Sequence, residues 1–400
     1  MFQRISNKLH SQQQHSFQLT QCPTMKTGIY FSNWSVYSRN HFLTSIPLQN
    51  YTHLFYAFFL PSATTGHIQS NDAWADFQLP LPDPTNPNGA KVTGNLQQLY
   101  KLKKLHRGLK TILSIGGWGT AHLFEAVVAN TERLNNFINS IVDHIAEYGF
   151  DGVDLDWEYP STPHQGKQFV QLVHALRKAL PPQYSISIAA PAGGDKIKNF
   201  DLRTMDQVID FWNVMCYDFA GEGWSRHTGF HSNLFGNNGD NDLCSSGVIQ
   251  KYLDAGICSD KLILGMPMYG RVFHGAKAGG IGAGFDKSHH GHCVEEDIVD
   301  YKKLPIGQES VDLRKVGAVS YDVKMRQVIT YDNVQCVRIK ANYILSNRLG
   351  GGMWWDSAGD DECEERSLVG NFVDQIGGVE KLDRKENIIS YPGSNYLKGL

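Results

Sequence analysis

Four carboxylates lie close together in the segment DGVDLDWEYP (151–160), at Asp151, Asp154, Asp156 and Glu158. If the segment forms a strand, its side chains alternate, so that the last three acids share one face and apolar residues occupy the other. Acids stacked in a low-dielectric interior cost several kcal/mol per unpaired charge, and one or more of them usually stays protonated. A protonated carboxyl with a raised pKa at a pocket mouth is what general acid catalysis requires, and Glu158 lies nearest the end of the strand.

Other roles for these acids stay open at this point. The segment could be a solvated acidic edge of a sheet, or its three aligned acids could bind Mg²⁺ or Ca²⁺, since hard cations take carboxylate ligands. Asp151 falls on the outward side of the alternation and is expected to be structural. A second candidate metal cluster, HHGHC (289–293), lies in a glycine-rich stretch. Such crowding seldom closes a tetrahedral zinc site.

Short apolar runs rich in β-branched and aromatic residues recur along the chain and are predicted to be strands. Amphipathic patterns fill several gaps between them, for example at 134–145, where a helix is predicted to end at Gly149. Apolar strands that alternate with helices predict an α/β fold with a parallel sheet, and eight such units close into a (β/α)8 TIM barrel. A doubly wound open sheet is the alternative. The eight runs span 26–34, 52–59, 110–118, 152–158, 184–192, 209–219, 261–270 and 350–356.

The gap between Tyr269 and Gly350 is longer than one loop and one helix require. Part of it, GAVSYDVKMRQVITYD (317–332), alternates polar and apolar residues on both sides of a turn, as in a pair of strands. We therefore predict a small α+β insertion lobe at about 274–332, after the seventh strand. Its position places it on the face of the barrel where active sites lie.

Composition limits the partners and the compartment of the protein. With 37 Lys plus Arg against 40 Asp plus Glu, the net charge of -3 gives no reason to expect a nucleic acid or an anionic membrane as partner. Residues 1–24 are polar and lack the apolar region of a secretory signal, so we expect a disordered extension before a domain at 25–400 and no export by the usual route. The seven scattered cysteines suit free thiols in a reducing compartment. A bridge between Cys244 and Cys258 is the alternative.

Several motifs together carry a resemblance to one family. DGVDLDWEYP resembles the D-x-x-D-x-D-x-E signature of glycoside hydrolase family 18, the chitinases, and SIGGWG (114–119) resembles its third-strand motif. MCYDF (215–219), PMYGR (267–271) and GGGMWWD (350–356) resemble its sixth-, seventh- and eighth-strand motifs in the same order. The match spans about 26–395, and the lobe and the tail KENIISYPGSNY (385–396) look most like the fungal chitinases of the deep-cleft, bacterial-type subgroup. The resemblance implies a TIM barrel that needs no metal or other cofactor.

The resemblance also implies roles for four catalytic residues. Glu158 would protonate the glycosidic oxygen, while the N-acetyl carbonyl oxygen of the substrate attacks the anomeric carbon, giving an oxazolinium ion and retention of configuration. Asp156, one strand pleat below Glu158, would bond the acetamido N–H, and Asp154 would share a proton with Asp156. Tyr217 would help to orient the acetamido carbonyl oxygen.

Further residues are expected to contact the sugar units. Met215 and Asp218 resemble residues that shape the acetamido pocket, and Trp355 falls where the family places the indole floor of the site. Arg271 can donate hydrogen bonds to sugar oxygens, although a salt bridge at the rim is the alternative. The remaining candidates are aromatic platforms for the apolar faces of sugars and one glycine that lets the backbone approach closely: Tyr30, Phe58, Trp74, Gly117, Trp118, Tyr159 and Tyr269.

The resemblance therefore implies a monomeric chitinase that acts on chitin or chito-oligosaccharides. One alternative is a catalytically inactive chitin-binding lectin, because the same fold hosts inactive members. Another is an endo-β-N-acetylglucosaminidase that acts on N-glycans. The lectins typically lack the terminal Glu of the signature and the second class usually lacks the inserted lobe, whereas this sequence has Glu158 and the predicted lobe.

Overall fold

A computed structural model of the chain describes residues 24–86, 88–89, 91–236, 243–286 and 297–400. The predicted N-terminal extension therefore lies, except for Thr24, outside the described residues, and so does the segment HHGHC (289–293). Within the described ranges, no helix is both long and apolar enough to cross a bilayer. The architecture that follows consists of a closed barrel with a second sheet at its rim.

Eight parallel strands form the barrel. Each strand pairs with the one before it in the chain, and the first pairs with both the second and the eighth, which closes the sheet. This closure confirms the predicted (β/α)8 fold, because a doubly wound open sheet leaves its edges unpaired. The strands are β1 (Lys26–Ser32), β2 (His53–Pro61), β3 (Lys110–Gly116), β4 (Gly152–Asp156), β5 (Ser185–Ala190), β6 (Phe211–Val214), β7 (Leu262–Pro267) and β8 (Gly351–Trp355).

Helices between the strands cover the outside of the barrel. In the longest of them, Thr131–Tyr148, the Asn130 side chain accepts a hydrogen bond from the Arg133 amide, and Gly149 ends the helix at φ +77. A glycine tolerates this left-handed conformation without steric cost, as the sequence pattern predicts. The α-helices span Ala73–Phe77, Gly94–Leu105, Ala121–Val128, Thr131–Tyr148, Pro163–Ala179, Gly194–Ile197, Leu202–Met205, Ser245–Asp254, Val334–Ser346 and Leu368–Gln375.

The core has two layers, one on each face of strand β4. Val153 and Leu155 belong to the outer layer between strands and helices, together with Trp157, whose ring stacks on Phe124 with centroids 5.4 Å apart. A smaller inner layer fills the barrel itself and includes Tyr30, Phe55, Phe58, Met215 and Met353. Because strand side chains alternate, the acids between the outer-layer residues must point into the barrel.

Asp151, just before β4, belongs to the closed end of the barrel. It is buried, and its carboxylate lies 2.7 Å from the equally buried Lys103 ammonium. The carboxylate also accepts hydrogen bonds from the backbone amides of Thr111 and Ile388, each at 2.7 Å. Ile388 is part of the C-terminal tail, so Asp151 attaches the tail to the barrel, in agreement with the structural role expected for it.

The sheet of the insertion lobe contains five antiparallel strands. In spatial order these are Ile298–Asp300, Tyr269–Phe273, Gln327–Tyr331, Gly317–Asp322 and Gln308–Asp312. The strand Tyr269–Phe273 belongs to this sheet and not to the barrel, so the sheet begins before the predicted lobe boundary at about 274. The boundary between barrel and lobe lies at Met268, within the apolar run 261–270, so the sequence pattern does not mark it. The Met268 amide donates to the Trp355 carbonyl in the barrel, and the Met268 carbonyl accepts from the Tyr301 amide in the lobe. In the described part of the lobe, helical structure is limited to the 3-10 turn Tyr301–Lys303.

The five cysteines among the described residues are free thiols. Cys244 is buried and Cys258 is exposed, so the alternative of a bridge between them is not formed. Cys216, Cys244 and Cys336 contribute buried apolar surface, as free thiols commonly do.

Candidate active site

The aligned acids of β4 lie along the barrel axis, at the centre of the fold. Asp154 and Asp156 are buried within the strand, and Glu158 follows two residues after its end, half-buried in the open mouth of the barrel. The outward packing of Val153, Leu155 and Trp157 fixes this orientation. The three carboxyl groups therefore form a column that ends in a solvent-filled cleft.

Asp154, the deepest acid, is surrounded by hydrogen-bond donors from four different strands. Its carboxylate accepts from the Tyr30 hydroxyl at 2.9 Å, the Ser114 hydroxyl at 2.8 Å, the Ser187 hydroxyl at 2.6 Å and the Asn213 amide at 3.2 Å. Burial raises the pKa of Asp154 above its ordinary value, and these hydrogen bonds only partly oppose the rise. An acceptor with so many donors is suited to the ionised form.

Asp156 lacks the hydrogen-bond donors that surround Asp154. It is buried, and its Oδ1 has no hydrogen-bond partner among the described residues. Burial, followed by the charges of Glu158 and Asp154, raises the pKa of Asp156 well above its ordinary range. The proton that the sequence analysis assigns to the Asp154–Asp156 pair is therefore best held on Asp156, where it can serve as a donor.

Glu158 also keeps its proton more tightly than an exposed glutamic acid. Burial raises its pKa to about 7, a hydrogen bond from Tyr159 opposes the rise, and the charge of Asp218 adds to it. A carboxyl with this pKa is partly protonated near neutral pH, where it can still give up its proton readily. A carboxyl of this kind at the mouth of the barrel can act as a general acid.

The cleft above the acids has a volume of about 1240 Å³, and aromatic side chains line much of it. Trp355 lines it, with its ring stacked on Phe58 at 5.6 Å between centroids and tilted against Tyr30 at 5.5 Å. Trp354 alternates outward and packs against Phe372 in the outer layer. The two adjacent tryptophans therefore have different environments, as the strand alternation predicts.

Tyr217 and Met215 form the wall that follows β6. Burial and the charges of Asp156 and Glu158 raise the pKa of Tyr217 well above its ordinary value, so its hydroxyl stays protonated and can donate. Gly265 leaves room for the ring, because a Cβ at that position would lie 3.1 Å from Tyr217 Cε1. Tyr217 thus lies beside the two upper acids with its proton available.

Asp218 is the centre of a charged network that joins this wall to the lobe. Its Oδ1 accepts hydrogen bonds from the Tyr269 hydroxyl at 2.7 Å and from Arg271 Nε at 2.8 Å. Burial alone would raise the pKa of Asp218, but His231 and Arg271 outweigh it and hold the pKa well below its usual range. Arg271 therefore forms a salt bridge with Asp218, which was the alternative to sugar binding in the sequence analysis. It also lines the cleft.

The loop after β3 and the residue after Glu158 supply further lining residues of the cleft. Trp118 is 75% exposed there, on the loop after β3, with Tyr159 also in the lining. Gly117 has φ +94, and a Cβ on it would lie 2.7 Å from the Phe58 ring. Gly117 therefore lets Phe58 reach its position beside Trp355.

Every predicted site residue lines the cleft except Asp154, which lies below it, and Trp74, which is 49% exposed elsewhere on the surface. The sequence analysis missed other lining residues that lie on loops after the strands. The available signal was an aromatic residue at the end of a predicted strand, as at Trp34 in the run 26–34. The missed residues include Trp34, Asn71, Lys196, Glu222, Trp224 and His274.

The part of the chain that the structure describes contains no group of three His, Cys, Asp or Glu side chains arranged to hold a metal. The deepest acid of β4, Asp154, is instead engaged by hydroxyl and amide donors. The Mg²⁺ or Ca²⁺ alternative therefore finds no support in the described residues. That the site works without a cofactor stays a prediction.

Comparison with known proteins agrees with the motifs. The sequence model of Glycosyl hydrolases family 18 matches residues 26–360. The chain is 36% identical to Endochitinase 1 of Metarhizium robertsii over 385 residues, which cover 92% of this chain and 88% of that protein.

Solved structures give the same result. The catalytic domain of the psychrophilic chitinase B from Arthrobacter TAD20 matches with a TM-score of 0.79 and 27% identity, covering 88% of this chain and 95% of that one. A chitinase variant from Cycas revoluta, solved in complex with (GlcNAc)4, matches with a TM-score of 0.75 and 25% identity, covering 88% and 100%. This protein belongs to family 18 of the glycosyl hydrolases.

Proposed function

We propose that this enzyme is a chitinase that hydrolyses β-1,4 bonds between N-acetylglucosamine units with retention of configuration. The observation that carries the proposal is Glu158, a carboxyl with a pKa of about 7 at the mouth of the barrel, directly above the buried Asp156. The relatives named above as chitinases, one of them solved with bound (GlcNAc)4, support the same substrate.

In the proposed reaction, Glu158 gives its proton to the glycosidic oxygen as the bond to the leaving sugar breaks. The carbonyl oxygen of the substrate's own acetamido group attacks the anomeric carbon and forms a cyclic oxazolinium ion. Asp156 and Tyr217 hold the acetamido group: the unprotonated oxygen of Asp156 accepts from the acetamido N–H, and the Tyr217 hydroxyl donates to the acetamido oxygen. Glu158, now ionised, then takes a proton from the water that opens the ring.

The other carboxylates of the cleft support a nucleophile that comes from the substrate. Among the described lining residues, each of these carboxylates lies beside a cation or an imidazole: Asp218 and Asp297 beside Arg271, Glu222 beside His274, and Asp195 beside Lys196. A retaining enzyme of the two-carboxylate kind needs a second carboxylate about 5 Å from the acid, on the opposite face of the sugar, whereas Asp156 lies on the same face of the chain as Glu158. The substrate's acetamido oxygen fills that role in the proposal.

Trp355, Phe58, Trp118, Tyr159 and Tyr269 are proposed to contact the apolar faces of successive sugars, because their rings line the cleft. Because one chain supplies the complete cleft, we also propose that the enzyme acts as a monomer. Size-exclusion chromatography with light scattering would test this, and activity confined to a dimer would contradict it.

The decisive experiment is a time course of products from (GlcNAc)6 with detection of the anomers. The proposal expects hydrolysis and the β-anomer as first product. Initial formation of the α-anomer would refute retention. Binding without any hydrolysis would instead favour the lectin alternative.

A further inference from the structure

A buried histidine lies behind Asp218, on the side away from the cleft. His231 is fully buried, and its Nδ1 is 3.7 Å from Asp218 Oδ1. At 3.7 Å the contact of Nδ1 with Asp218 is longer than a formed hydrogen bond, and Nε2 has no hydrogen-bond partner among the described residues. Leaving a buried polar group unpaired is costly for a folded protein, so such groups usually have a specific role.

The backbone holds the ring of His231 at this position. The Phe219 amide donates to the His231 carbonyl at 3.0 Å, which ties the segment that carries His231 to the residue after Asp218. The ring centroid of His231 is 5.1 Å from that of Tyr269. The imidazole therefore has one direction in which a small movement completes a hydrogen bond, toward Asp218.

The charges around His231 favour the neutral ring as the donor. Asp218 and Arg271 lie on its cleft side, and the buried pair of Asp332 and Lys340 lies on its far side, bonded to the neighbouring Ser232. Burial lowers the pKa of His231, and Asp218 only partly opposes this. A neutral imidazole that carries its proton on Nδ1 can donate to a carboxylate without placing another charge in the core.

All the groups that hold Asp218 converge on the same atom. The Tyr269 hydroxyl and Arg271 Nε both donate to Oδ1, and His231 Nδ1 lies 3.7 Å from the same atom. Asp218 has φ +58, a left-handed backbone conformation that the rest of the structure must maintain. Three groups around one oxygen restrain the Asp218 carboxylate, which also lines the cleft.

We propose that His231 is a positioning residue, which donates from Nδ1 to Asp218 Oδ1 and so holds that carboxylate in its working orientation toward Glu158 and the substrate. The inference rests on the proposed function, because it assigns Asp218 a part in that reaction. The charge of Asp218 helps to raise the pKa of Glu158. A displaced Asp218 would therefore allow Glu158 to lose its proton at a lower pH.

The test compares His231→Leu with His231→Asn in the full chain, with kcat measured against pH on (GlcNAc)6. Leu removes the donor, whereas the side-chain amide of Asn places one close to the position of Nδ1. For the Leu variant we expect kcat to fall roughly tenfold, the size expected for a lost hydrogen bond to a carboxylate. The alkaline limb of the kcat–pH profile of this variant should move roughly 0.5 to 1 pH unit downward. The Asn variant should recover most of both.

The matched control is Ser232→Ala, the next residue along the chain and also buried, whose hydroxyl bonds Asp332 and not Asp218. Ser232→Ala should lower the melting temperature without moving the alkaline limb of the kcat–pH profile. An alkaline limb that stays in place in His231→Leu, with only the amount of folded enzyme reduced, would overturn the inference. If the Leu variant does not fold, His231→Gln is measured instead. The Gln amide reaches the position of Nε2 and not that of Nδ1, so the alkaline limb of the kcat–pH profile should again shift downward. An unshifted limb in this variant would overturn the inference. Failure of the wild type to hydrolyse (GlcNAc)6 would refute the proposed function itself, a distinct result.

Discussion

The raised pKa of Glu158 means that the proposed catalytic acid lowers the stability of the folded protein at neutral and alkaline pH. Its pKa rises from an ordinary value of 4.5 to about 7. Because the folded state binds this proton more tightly than the unfolded chain does, the associated stability is fully present below about pH 4.5 and is lost as the pH rises through about 7. At about 1.36 kcal/mol per pKa unit, the loss amounts to about 3 kcal/mol.

Glu158→Gln should remove most of this dependence, because the amide stays neutral at every pH. We therefore expect the variant to gain about 3 kcal/mol in its free energy of unfolding relative to the wild type between pH 4 and pH 9. Its turnover should fall by roughly 10² to 10⁴, because the amide cannot deliver a proton, while binding of chito-oligosaccharides persists. Some pH dependence should remain in the variant, since Asp156 is also buried without a partner for Oδ1.

The assay is urea-induced unfolding of wild type and variant at a series of pH values, in parallel with kcat on (GlcNAc)6. Glu362→Gln serves as the control, because it makes the same chemical change at an exposed position outside the cleft. A stability difference between wild type and Glu158→Gln that stays constant from pH 4 to pH 9 would refute the reasoning on burial. Near-normal turnover in the variant would separately refute the role of Glu158.

Three other substitutions and one product analysis test the site. Gly117→Ala should cost about 1 to 2 kcal/mol of stability in thermal unfolding and reduce kcat, because it strains a left-handed residue and its Cβ meets Phe58. Trp118→Ala should raise KM for (GlcNAc)6 about fivefold, whereas Trp74→Ala, an exposed tryptophan outside the cleft, should leave KM unchanged; equal effects would argue against sugar contact by Trp118. Because the lobe forms one wall of the cleft, we expect a threaded chain and products that are mainly dimers, and a random mixture of long oligomers from soluble chitosan would count against this.

The sequence predicted the barrel well because its signal is local and repeated. Each barrel strand is a short apolar run, and the alternation at Val153, Leu155 and Trp157 correctly places Asp154, Asp156 and Glu158 inside. The boundary at Met268 was missed because the run 261–270 stays apolar while the chain changes sheets. The periodicity of side chains carries no information on which sheet a strand joins.

The environment of each acid could not be predicted in the same way. Asp154 receives donors from residues as distant in the chain as Tyr30 and Asn213, and only the closed barrel brings them together. Loop residues such as Trp34, Trp224 and His274 also enter the cleft, but loops have no periodic pattern that fixes where a side chain points. Sequence reasoning therefore identified the proposed proton donor but not the groups that set its pKa and that of Asp156.

The hydrogen bonds around Asp154 also bear on how the chain folds. Tyr30 on β1, Ser114 on β3, Ser187 on β5 and Asn213 on β6 all donate to this one carboxylate of β4. A partial barrel that buried Asp154 without these strands would hold a carboxylate lacking its donors, at a cost of several kcal/mol. Intermediates with a half-formed barrel are therefore disfavoured, and we expect closure of the barrel and assembly of the acid column to occur as a single cooperative step.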